Sequence, residues 1–191
     1  MKQLLIIIIS IFVITEVNSQ YYAFGAFKFG NITAKNDANE KISTITEFEF
    51  SPGIGYYIND RWDIGLELGI SRTVNKFDDE TVNLKTTEWS FSPFTCCVII
   101  QAGKFALSGR SSLFLVSDFK NKFYTTGIKI VPFLEYSLNE KISLLTDLNF
   151  LGVGYFYSKY LDQKTSALYI GADSDNIITL GDIRVGFIYN F

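Results

Sequence analysis

Beyond residue 20 the chain alternates with a period of two. Between Thr44 and Ile58 one parity carries Phe48, Phe50, Pro52, Ile54, Tyr56 and Ile58, and the other Glu47, Glu49, Ser51, Gly53, Gly55 and Tyr57. That is the period of an extended strand, whose side chains point alternately to two faces, one oily and one polar. After Asn59-Asp60-Arg61 the pattern resumes, with Trp62, Ile64, Leu66, Leu68 and Ile70 against Asp63, Gly65, Glu67, Gly69 and Ser71. Two such runs across a tight turn predict a hairpin. The same reading predicts further strands at Tyr21–Phe29, with Lys28 on the polar parity, and at Lys85–Ile100, whose phase blurs near Pro93, where a bulge is expected. Four more follow: Phe105–Ser117 with Arg110 on the polar parity, Thr126–Leu138 with Lys129 and Glu135, Ile142–Tyr155 with Asp147 and Asn149, and Thr179–Phe191 with Asp182 and Arg184. Eight strands emerge.

Their connections alternate in length. Short turns fall at Asn59 to Arg61, Ala102 to Lys104 and Asn139 to Lys141. Longer polar connections fall near Asn31 to Lys41, Asn75 to Leu84, Phe119 to Tyr124 and Ser158 to Asn176, all at one end of the sheet. The segment Ile58-Asn59-Asp60-Arg61-Trp62-Asp63-Ile64 is similar to Leu138-Asn139-Glu140-Lys141-Ile142-Ser143-Leu144, which suggests a repeated hairpin unit.

An eight-stranded sheet closed on itself is either a soluble ligand-binding barrel with its oily face inward or a membrane barrel with that face toward lipid. The polar parity decides between them. It holds Gly53, Gly55, Gly65, Gly69, Ser51, Ser71, Ser90 and Ser92; glycine weakens a strand interior, and a water-facing exterior has no need of it, whereas a narrow lumen needs small residues. The same parity carries charges of both signs: Glu47, Glu49, Asp63, Glu67, Glu88, Glu135, Asp147 and Asp182 against Lys28, Arg110, Lys129 and Arg184. Inside a barrel these are expected to pair across the lumen, as buried charges must. Tyr56, Trp62, Tyr136, Tyr189 and Phe191 stand at strand ends beside the short turns, the place of an aromatic girdle. The expected fold is therefore all-β, an eight-stranded antiparallel up-and-down transmembrane β-barrel.

Residues 1–19 read differently. Lys2, an apolar run from Leu4 to Ile14 broken by Ser10, and the polar stretch Thr15 to Ser19 have the form of a secretory signal peptide, with cleavage expected between Ser19 and Gln20. Residues 20–191 would then form the barrel domain. Composition agrees with a dispersed apolar surface: of 191 residues 48% are hydrophobic, 16% aromatic and only 19% charged, below the roughly 25% charged of a soluble domain. A net charge of −3 carries no basic signature of a nucleic-acid binder. Cys96 and Cys97 are adjacent, so on a strand they face opposite ways and are poorly placed to bridge each other.

The whole span 20–191 resembles the small outer-membrane barrel proteins of the OmpA/OmpX type, especially the outer membrane protein beta-barrel (porin-family) proteins of Bacteroidetes. The resemblance is carried by Phe50-Ser51-Pro52-Gly53-Ile54-Gly55-Tyr56-Tyr57, by Ile58-Asn59-Asp60-Arg61-Trp62, by Gly127-Ile128-Lys129-Ile130-Val131-Pro132 with its following Asn139-Glu140-Lys141 turn, and by the ending Val185-Gly186-Phe187-Ile188-Tyr189-Asn190-Phe191. It implies a Gram-negative outer membrane, with both chain ends in the periplasm and the long loops outside. Its implied partners are outer-membrane lipid and lipopolysaccharide, and the barrel assembly machinery, which would read Phe191.

The resemblance also limits the chemistry. The barrel enzymes of the outer membrane are similar to one another in relying on a catalytic histidine, and this chain has none. A Ser-His-Asp site is excluded on the same ground. Glu47 and Glu49 have the residue type for acid/base work, but same-parity neighbours on one strand fit a lumen network better. The acidic segments Asp78-Asp79-Glu80 and Asp173-Ser174-Asp175-Asn176 lack the ligand ladder of a calcium loop. Gly53-Ile54-Gly55 lies inside a strand and is no phosphate loop. No catalytic, cofactor-binding or metal site is expected. An eight-stranded barrel is about filled by its own side chains, so the leading expectation is a non-enzymatic outer-membrane protein acting through its loops in envelope structure, adhesion or surface interaction. Small-solute transport, or a soluble lipocalin-like binder, are the alternatives.

Overall fold

The computed structural model describes residues 20–35, 41–77, 83–161, 163–170 and 183–191. The expected leader at 1–19, the acidic segments Asp78-Asp79-Glu80 and Asp173-Ser174-Asp175-Asn176, and Asp182 lie outside the described residues. The alternating segments form antiparallel strands β1 (Tyr21–Lys35), β2 (Lys41–Tyr57), β3 (Trp62–Phe77), β4 (Asn83–Ala102), β5 (Phe105–Asp118), β6 (Phe123–Ser137), β7 (Ile142–Leu148), β8 (Val153–Tyr160), β9 (Gln163–Ile170) and β10 (Ile183–Asn190). Strands β1 to β6 each pair with the next, and β1 also pairs with β10. The last four strands fill two positions in the wall. β7 and β8 lie end to end along β6, while β9 pairs with β8 and β10 with β7. The result is a closed, eight-stranded, antiparallel up-and-down barrel.

The two similar turn segments fold alike. The Asn59 side-chain oxygen accepts the amides of Arg61 and Trp62 at 2.9 and 3.0 Å, and that of Asn139 accepts those of Lys141 and Ile142, both at 2.9 Å. In each, the residue before the Asn donates its amide to the carbonyl four residues on. Asn serves here because its short side chain can accept hydrogen bonds from the chain just ahead. The third short turn is made by Gly103, at φ +59°, a left-handed conformation that glycine adopts without steric cost.

At the other end the strands run further than their hydrophobic alternation. β1 continues to Lys35 and β2 begins at Lys41, where a loop was expected from Asn31. Once the outward side chains turn polar the alternation vanishes, but the backbone ladder persists through β-branched pairs such as Thr33 with Thr44 and Thr73 with Thr86. Likewise the expected loop from Phe119 to Tyr124 is a tight turn in which Asp118 accepts the amides of Lys120 and Asn121 at 2.9 and 3.1 Å. The expected loop from Ser158 holds the β8–β9 hairpin.

Two further details differ from the sequence reading. Register runs unbroken past Pro93, and the irregularity falls between Val98 and Ile100. The phase near Pro93 blurs because Phe94 and Cys96 are apolar residues that point inward, both buried. The strand expected at Ile142–Tyr155 is interrupted by a short 3-10 turn at Asn149–Leu151. It faces Val131 and Pro132 of β6, between the pairs Ile130–Val153 and Phe133–Asp147, where proline has no N–H to give a ladder.

The faces run as the small-residue argument requires. Ile54, Leu68, Leu113 and Phe187 point outward and are 52–59% exposed, whereas Glu67, Arg110, Asp147 and Arg184 point inward and are 3–7% exposed. Cys96 and Cys97 are free thiols, one buried and one half-buried. At the short-turn end, ring pairs Tyr21–Tyr56, Phe105–Tyr136 and Tyr189–Phe191 stand at 5.0, 4.6 and 5.3 Å, and Trp62 is exposed beside them. The expected girdle is present there.

Candidate functional site: the lumen

From the short-turn end upward, the interior has three levels. The first is an aromatic plug of Tyr22, Phe24, Phe94 and Phe133 with Leu145 and Ile188. Each of the first three rings lies directly across the ladder from a glycine: Tyr22 from Gly55, Phe24 from Gly53 and Phe94 from Gly65. A Cβ built on any of these glycines would overlap the facing ring. The small residues of the polar parity are therefore the space into which neighbouring aromatics fold. Tyr22 and Phe24 share the parity of Lys28 but their residue type hides their inward face; the signal in the sequence is an aromatic opposite a strand glycine.

The second level is ionic. The Arg184 side chain donates from Nε to Asp147 at 2.7 Å, and from its two terminal nitrogens to Glu67 at 2.7 and 3.0 Å and to Glu49 at 3.2 Å. Arg110 donates to Glu67 at 3.2 Å and stands 3.8 Å from Asp147. Its guanidinium also lies 5.2, 4.8 and 5.1 Å from the ring centres of Phe24, Phe94 and Phe133, so it seals plug to network by cation–π contact. These distances span strands β2, β3, β5, β7 and β10, tying the wall together across its diameter.

Other members of the expected charge set go elsewhere. Lys28 pairs with Glu47 at 3.0 Å near the open end. Asp63 accepts the Tyr22 hydroxyl at 2.9 Å instead of meeting a cation. Lys129 lies over the Phe114 ring at 5.9 Å. Glu88 and Glu135 have no ion-pair partner among the described residues. Glu47 and Glu49, considered for acid/base work, are held by Lys28 and Arg184, and the Ser51 hydroxyl also donates to Glu49 at 2.8 Å.

Inside the ionic level is a void of about 10 Å³ bordered by Arg110, Ser112, Asp147 and Arg184. Arg110 Nε, Ser112 Oγ and Asp147 Oδ1 have no hydrogen-bond partner among the described residues. Two donors and one acceptor around a space of that size fit one bridging water. Above it the lumen widens into a third level, a cup of about 290 Å³ walled by Glu49, Glu88, Ser90, Lys129 and Arg184 among others. The cup opens away from the plug, so among the described residues no continuous passage runs through the barrel.

No protein-family model and no curated protein sequence matches the chain. Among solved structures it is similar to Neisserial surface protein A, with 15% identity and a TM-score of 0.41 over 91% of this chain and 98% of that one. It is also similar to a bacterial polysaccharide outer membrane secretin, with 9% identity and a TM-score of 0.21 over 92% of this chain and 100% of that one.

Proposed function

We propose that the chain is an integral outer-membrane β-barrel of the small OmpA/OmpX type, without catalytic activity, that works through the strand extensions and loops at the end opposite the short turns. The observation that carries this reading is inverted polarity: large aliphatic side chains stand exposed around the wall while arginines and carboxylates are buried within it. Such a surface is far larger than the few hundred square ångströms of apolar patch that a soluble monomer tolerates. From Phe48 to Ile58, the residue just past the end of β2, the outward positions are apolar throughout. Ten steps of roughly 3.3 Å, tilted by about 40°, make a band on the order of 25 Å tall, the height of a membrane barrel's apolar belt.

The plug speaks against the porin alternative, since Phe24, Phe94 and Phe133 close the lumen around Arg110. The face assignment speaks against the lipocalin alternative, which needs an apolar chamber inside. Cell fractionation with a gel run before and after boiling tests the proposal. A heat-modifiable band in the detergent-soluble envelope fraction supports it, and mature protein in the soluble periplasmic fraction with unchanged mobility refutes it.

A further inference from the structure

Inward positions carry charges of both signs, paired as described, whereas the outward positions of β3 and β4 beyond the apolar band hold Arg72, Lys76 and Lys85 and not one carboxylate among the described residues. Arg72 faces Thr87 and Lys85 faces Val74, which sets the two cations diagonally on one outer surface. Beside them the β5–β6 turn brings Phe119 and Lys120. Together Arg72, Lys85, Lys120, Trp89 and Phe119 border a groove of about 310 Å³.

Among the described residues the one acidic side chain at this groove is Asp118, which is buried and already committed. It accepts the Lys120 and Asn121 amides and, at 2.5 Å, the Asn121 side-chain amide. Among the described residues none of Arg72, Lys85 and Lys120 has an ion-pair partner within 4.0 Å, and the three cations border one opening in which Asp118 is turned into its own hydrogen bonds. Trp89 and Phe119 are 54% and 77% exposed, and below Trp89 the outward face continues as Phe91 and Leu115. An occupant therefore meets positive charge above and an apolar, aromatic wall beneath.

We propose that this groove binds the phosphate-bearing headgroup of a membrane lipid, whose acyl chains lie along β4 and β5. The proposal rests on the membrane-barrel reading. Lipid is the occupant the position selects, because the cations stand directly above the apolar band and interfacial aromatics mark headgroup depth. Phosphate is the chemistry the side chains select, an arginine fork and two point-charge lysines being its usual donors.

Native mass spectrometry of the full barrel in non-ionic detergent tests this, with bis-phosphorylated lipid A, the same glycolipid stripped of phosphate, and inorganic phosphate as probes. The unmodified protein should retain the phosphorylated glycolipid and not the stripped one. At roughly fivefold per cation near a charged surface, Arg72→Gln/Lys85→Gln/Lys120→Gln should lose on the order of a hundredfold in retention. Lys159→Gln, on an outward position of β8, should lose none. Equal retention of both glycolipids, an unchanged triple variant, an equal loss in Lys159→Gln, or displacement by inorganic phosphate at matched concentration would each overturn the assignment. The boiled and unboiled mobilities of the triple variant report folding separately, so failure of this site is distinguishable from failure of the barrel reading.

Discussion

Replacing Arg184 by leucine isolates the ionic level. Arg184 is 5% exposed and contacts Asp147, Glu67 and Glu49. Leucine removes all of these contacts and leaves three carboxylates facing Arg110 and Lys129 inside the lumen. Breaking a buried ion pair by deleting one partner costs about 3–5 kcal/mol, because the remaining charge loses its compensation. The pair Lys28–Glu47 is the internal control: its side chains are 21% and 32% exposed near the mouth, and Lys28→Ala should cost under about 1 kcal/mol, as partly solvated pairs do. The measurement is reversible urea unfolding of the barrel refolded into lipid vesicles, followed by Trp62 and Trp89 fluorescence. Adding Glu67→Leu to Arg184→Leu removes one stranded carboxylate and should restore part of the loss, giving a coupling of at least about 1 kcal/mol in a double-mutant cycle. If Arg184→Leu and Lys28→Ala cost the same, or the double variant is simply the sum of its parts, the network does not brace the barrel in the way described.

Three further outcomes follow from the face and level assignments. Leu66→Arg, on the outward face at mid-belt, should destabilise the membrane-inserted state by roughly 2–4 kcal/mol, whereas Thr33→Arg, outward but above the band, should change it by less than about 1 kcal/mol; both are read by the same urea titration. Gly55→Val should impair folding by driving a side chain into the Tyr22 ring, and Gly55→Val/Tyr22→Ala should recover much of the folded fraction on an unboiled gel. Purified protein in planar bilayers should give no stepwise conductance, whereas Phe24→Ala/Phe94→Ala, which removes two rings of the plug, should give it.

Much of this was legible in the sequence because alternation reports faces directly. The parity of Glu67, Arg110, Asp147 and Arg184 marked them as interior, and the abundance of glycine on that parity told which face was the lumen. What alternation cannot report is a residue whose type belies its face. Tyr22, Phe24 and Phe94 are oily yet point inward, since the plug end of the lumen is apolar and the facing glycines make room for them. Nor does alternation report where a strand ends: from Asn31 onward the outward residues of β1 are polar, so the pattern stops while hydrogen bonding continues to Lys35. The break at Asn149–Leu151 was hidden for a third reason. It is tied to Pro132 on a neighbouring strand, not to a turn residue of its own. The outward groove at Arg72, Lys85 and Lys120 depends on β3, β4 and the β5–β6 turn meeting in space, which no linear pattern displays.

The central claim, that oil faces lipid and charge faces a closed lumen, is tested most directly by spin labels along β3. In a background with Cys96→Ala and Cys97→Ser, single cysteines at Ile64, Leu66, Leu68 and Ile70 are labelled in the vesicle-embedded protein, and collision rates with oxygen and with a water-soluble nickel chelate are compared. All four labels should be rich in oxygen contact and shielded from nickel, with the difference greatest toward mid-belt, and a label at Ser71, which faces the cup, should reverse the preference. Labels at Leu66 and Leu68 that meet nickel freely while the one at Ser71 meets only oxygen would contradict the account.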